Sequence, residues 1–117
     1  MEQYHSEHFA NLHLDALGRP VGLPTLDWTF GPVAFRASMA RHWLQCEGEL
    51  WDAQLVPIVH ASRWHGARVE TFEVGYAHPP LMRREEEGRP AWSEKRLFQL
   101  NFLFDKVGGA LKAAEPP

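Results

Sequence analysis

One cysteine, Cys46, stands among the 117 residues, so no disulfide can close within the chain and a reducing compartment is the simpler expectation. Lysine is scarce, at three residues against nine arginines. The formal charge of −3 supplies no general pull toward nucleic acid or an anionic membrane. No apolar run approaches the ~20 residues that span a bilayer. The opening stretch, Met1 to His8, has neither a basic leader nor an apolar segment behind it, which argues for a cytoplasmic location. Repeats and low-complexity tracts are absent. Gly18, Gly22 and Gly31 are too widely spaced for a dinucleotide-binding loop, and no cofactor is expected.

What the chain does have is aromatic surplus: five tryptophans and seven histidines, within a composition of 44% hydrophobic and 23% charged residues that is ordinary for a globular protein. The length suits one domain spanning 1–117, with 1–7 and 110–117 as flexible ends and 79–91 as a charged, proline-bounded loop.

Local patterning predicts a compact α+β domain with a small antiparallel sheet and two to three helices. Leu12 and Leu14 alternate with His13 and Asp15 as in a half-buried strand over residues 9–17, and Leu26, Trp28 and Phe30 offer an antiparallel neighbour. Phe35, Met39, Trp43 and Cys46 fall on one face of a helix over 33–46, with Gly48 as its stop. Asp52 is placed to cap a second helix that ends at Gly66. Pro57 inside it argues for a later start, with 50–56 extended. Ala67 to Tyr76 is rich in strand formers, and a last helix is framed by Ser93 and Gly108-Gly109. The alternative is a mostly β structure, because Val33–Met39 and Phe98–Phe104 also alternate.

Four chemistries compete for these residues. In a helix His42 and Cys46, four apart, would present a zinc-chelating pair, although a full site needs three or four ligands and no second signature follows. Cys46 beside His42, His60 or His65 would make a nucleophile, but none of the motifs that flag a catalytic cysteine is present, and an inert core thiol is the plainer reading. Arginines interleaved with tryptophans suit single-stranded nucleic acid, against which stand the intervening acidic residues and the negative total. Protein interfaces are enriched in Trp and Arg and depleted in Lys, which matches this chain. The expectation is therefore a small binding or adaptor protein acting on another protein, or on itself as a homodimer, through Arg63, Trp64, His65, Arg68 and Trp92.

Overall fold

The computed structural model describes residues 5–29, 32–73 and 89–117. Among them no strand forms, and the protein is helical. Both the α+β expectation and its mostly β alternative are therefore overturned. The helices are α1 (His5–Gly18), α2 (Ala40–Leu44), α3 (Asp52–His65) and α4 (Pro90–Lys112), with short 3-10 turns at Arg19–Val21 and Ala37–Met39.

Helix α1 replaces the expected first strand because its true period is set by residues that alternation ignores. Glu7, Ala10, Asn11, Leu14, Asp15 and Gly18 are buried, a spacing of three and four, while Leu12 faces out. Three of those buried residues are polar: Glu7 pairs with Arg96 of α4, and Asn11 and Asp15 are satisfied by the following loop. Asp15 Oδ1 accepts from Leu26 N at 3.0 Å and from Trp28 Nε1 at 2.9 Å, and Asn11 Oδ1 accepts from Trp28 N at 2.8 Å. The segment read as a partner strand thus lies against α1 through side-chain acceptors, not a backbone ladder; Phe30 lies outside the described residues. Trp28 is sealed in the core with Leu14, Leu23, Leu55, Val59, Leu103, Val107 and Leu111.

The expected helix over 33–46 shrinks to one 3-10 turn and the five residues of α2. Gly48 does not stop it by a left-handed φ. Its backbone instead passes so close to Ala53 that a Cβ would strike the Cα and N of that residue. Helix α3 runs through Pro57, whose lost hydrogen bond costs about 3 kcal/mol. Leu55 and Val59, buried on either side of it, each return about 1.5–3 kcal/mol, and Pro57 is itself fully buried. Burial wins, and no extended stretch over 50–56 is needed. Asp52 sits in the first turn, where its carboxylate accepts from the preceding amides of Glu49 (3.2 Å) and Leu50 (2.9 Å). Gly66, at φ 68°, closes the helix.

Residues 67–73 form no strand, and Val74 to Tyr76 lie outside the described residues, as does 79–88 of the charged loop. Helix α4 opens with Pro90 at its first turn and passes straight through Gly108-Gly109, because buried Gly108 packs near Leu17 of α1. Ala110 and Leu111, assigned to the C-terminal end by sequence, join the core.

The three long helices run parallel. Glu7 pairs with Arg96, His13 with Phe104 and Leu17 with Gly108, so contacts advance together along α1 and α4. Trp51 lies by Arg96 and Arg63 by Ala110, so α3 and α4 advance together too. Each connection must then return to the starting end, which explains the long stretches at 19–51 and 66–89. Three negative dipole ends gather at one pole, where Arg63, His65 and Lys112 stand; Glu7 and Asp52 occupy first turns at the other.

Candidate functional site

Among the described residues large apolar side chains are exposed on α1 and α4, and singly at Leu44 and Phe72. Since α1 turns its 7/10/11/14/15/18 positions inward, Phe9 and Leu12 project from the opposite side and are 69% and 52% exposed. On α4 the inward stripe carries Leu103, Val107, Ala110 and Leu111, leaving Leu97 61% and Phe98 63% exposed. The Glu7–Arg96 pair, at 3.5 Å and nearly buried, fixes the register of the two helices. It sets Phe9 level with the turn of α4 beyond Arg96, where Leu97 and Phe98 stand. The Phe98 and Phe102 rings stack at 6.3 Å, and Lys106 Nζ lies 5.8 Å above Phe102. None of these residues was expected as a site. The signal was present in the spacing of Phe9, Leu12, His13 and Ala16, three and four apart, but alternation at Leu12 and Leu14 suppressed it.

The sequence-predicted set gathers in part at the far end of α3. Arg63 points inward: its Nη1 donates to the carbonyl oxygens of Ala110 (2.8 Å), Leu111 (3.2 Å) and Ala113 (2.7 Å), capping α4. Its guanidinium also lies 4.4 Å above the Trp64 ring. Trp64 is half-buried, and its indole N–H is sealed from solvent without an acceptor among the described residues. His65 and Arg68 are exposed, and Arg68 pairs with Glu70 at 3.2 Å. Trp92 is elsewhere, in the first turn of α4, where the Arg96 guanidinium lies 4.9 Å above it and 5.2 Å from the Trp51 ring.

Helix α2 ends before Cys46, so the helical spacing assumed for His42 and Cys46 is not formed. His42 meets His65 instead, ring centroids 4.5 Å apart and tilted by 43°. Burial pushes the His42 pKa down, followed by His65 and then Arg41; burial also lowers His60, aided by His65, His42 and Arg63. Burial raises the Cys46 thiol, and the Asp52 carboxylate raises it further, which opposes thiolate chemistry. Among the described residues no group of three or more His, Cys, Asp or Glu is arranged to hold a metal ion.

A cavity of about 80 Å³ between Leu50, Trp51, Gln99, Phe102 and Leu103 is well below the roughly 300–1,000 Å³ of small-molecule sites. A broader open groove of about 510 Å³ runs past Pro32, Val33 and Gln54, with Phe35 stacked on Trp43 at 4.0 Å. Among the described residues no titratable side chain lines either. No described helix is long and apolar enough to cross a membrane.

Compared with protein-family models, curated proteins and solved structures, the chain matches none.

Proposed function

We propose that this chain is a protein-binding module whose docking face is the outer side of α1 and α4, with a second copy of the chain as its partner. The observation that carries this is the exposure of Phe9, Leu12, Leu97 and Phe98 on two helices locked in register by Glu7–Arg96. Large apolar side chains grouped on adjacent elements mark association surfaces more often than scattered ones do. Glu94, Lys95, Asp105 and Lys106 surround Phe98 in sequence with both signs of charge, which suits a self-complementary two-fold contact.

This reading moves the docking face away from Arg63 and Trp64. The Arg63 guanidinium is committed to three carbonyls and the Trp64 N–H is sealed, which favours the α1 and α4 side over that pair. His65 and Arg68, at and just past the end of α3, lie outside this face. A cytoplasmic location, inferred from the single cysteine, belongs to the same proposal.

A photoreactive benzophenone side chain at position 98 tests the face. Chain-to-chain crosslinks mapping to α1 or α4 are expected. Crosslinks that map to the α3 end, or no crosslinked dimer at all, would refute it.

A further inference from the structure

We infer that His42 and His65 form a two-imidazole clamp for a divalent transition metal of the zinc, copper and nickel class. The site is independent of the docking face, lying on α2 and the last turn of α3.

His42 is only 7% exposed, and its Nε2 is sealed from solvent with no hydrogen-bond partner among the described residues. A buried polar nitrogen without a partner calls for an explanation, and a bound ion is one of the few available. The imidazole in ring contact with it, His65, is exposed and so gives an ion a route in from solvent. With metal–nitrogen bonds of about 2.0–2.1 Å, two imidazoles on one ion hold their centroids about 4.5–5.5 Å apart. The observed 4.5 Å meets that, and the 43° tilt keeps the rings out of a face-to-face stack. Imidazole nitrogens select zinc, copper and nickel over calcium and magnesium. Burial already favours the neutral form of His42, which is the form that ligates, so protons compete weakly at neutral pH. Water completes the coordination shell on the open His65 side. Because the protein supplies two ligands only, and Arg41 and Arg63 lie close enough to lower the neighbouring histidines, binding is moderate, with copper ahead of nickel and zinc.

The test is titration of the full chain with Cu(II), followed by tryptophan fluorescence and by electron paramagnetic resonance. One ion per chain with two imidazole nitrogens in its spectrum is expected. His65→Asn and His42→Asn should each weaken binding at least tenfold, with circular dichroism confirming that the fold survives. The His5→Asn/His8→Asn double variant, which removes a rival pair on α1, should leave binding unchanged. Binding that persists in His65→Asn, that disappears in the α1 double variant, or that is missing from the parent chain would overturn the inference.

Discussion

Arg63 Nη1 lies 2.8 Å from the carbonyl oxygen of Ala110, joining the end of α3 to the end of α4 across 47 residues. With Leu111 and Ala113 also bonded, one guanidinium caps the helix that supplies four residues to the core. Charge-assisted hydrogen bonds of this kind contribute about 1.5–3 kcal/mol. Arg63→Ala should therefore lower stability by about 2 kcal/mol in urea denaturation. An unchanged midpoint would show that the C-terminal end of α4 needs no cap.

Trp28 Nε1 and Asp15 make the corresponding link at the other side of the core. Trp28→Phe keeps most of the ring but strips a donor from a buried carboxylate. A loss of about 1–3 kcal/mol is expected, with the helical circular dichroism retained. A neutral effect would mean that water reaches Asp15.

Gly48→Ala forces a Cβ against the Ala53 backbone, which is part of a helix and cannot yield as a flexible side chain would. Overpacking of this sort costs about 1–3 kcal/mol, read as a fall in melting temperature. Gly109→Ala, where a Cβ meets nothing within 4 Å, should be neutral or slightly stabilising.

Stability should fall on mild acidification. The folded-state pKa values of His42 and His60 are depressed, so the unfolded chain binds more protons as pH drops below the ordinary histidine value of 6.5. Stability is thus fully present above that pH and is lost progressively below it. Burial is the main cause at both, and the neighbouring His65, Arg41 and Arg63, with His42 beside His60, further oppose added positive charge. His42→Asn should flatten the profile between pH 7 and 5 when followed by chemical denaturation. An unaltered slope would remove His42 as its source.

The sequence disclosed helices bounded by strong punctuation and missed those whose faces are mixed. Gly66 marked the end of α3, and its φ of 68° supplies the reason. Ser93 was expected to open α4, but Pro90, assigned to the charged loop, begins it, and Gly108-Gly109 does not end it. In α1 the buried face includes Glu7, Asn11 and Asp15, so the alternation of Leu12 and Leu14 with His13 and Asp15 set the wrong period. The polar members became legible only through their partners, Trp28 and Arg96, far along the chain. The surroundings of the expected site were hidden for the same reason. Arg63 and Trp64 read as a display pair because no local pattern reveals that α4 ends beside them.

Sedimentation velocity over a concentration series of the full chain, run beside Phe98→Glu, tests the docking face most directly. The parent chain should shift from monomer to dimer as concentration rises, while Phe98→Glu, altered at a residue 63% exposed, stays monomeric and folded. A parent chain that remains monomeric throughout, or a Phe98→Glu variant that dimerises equally well, would contradict the account.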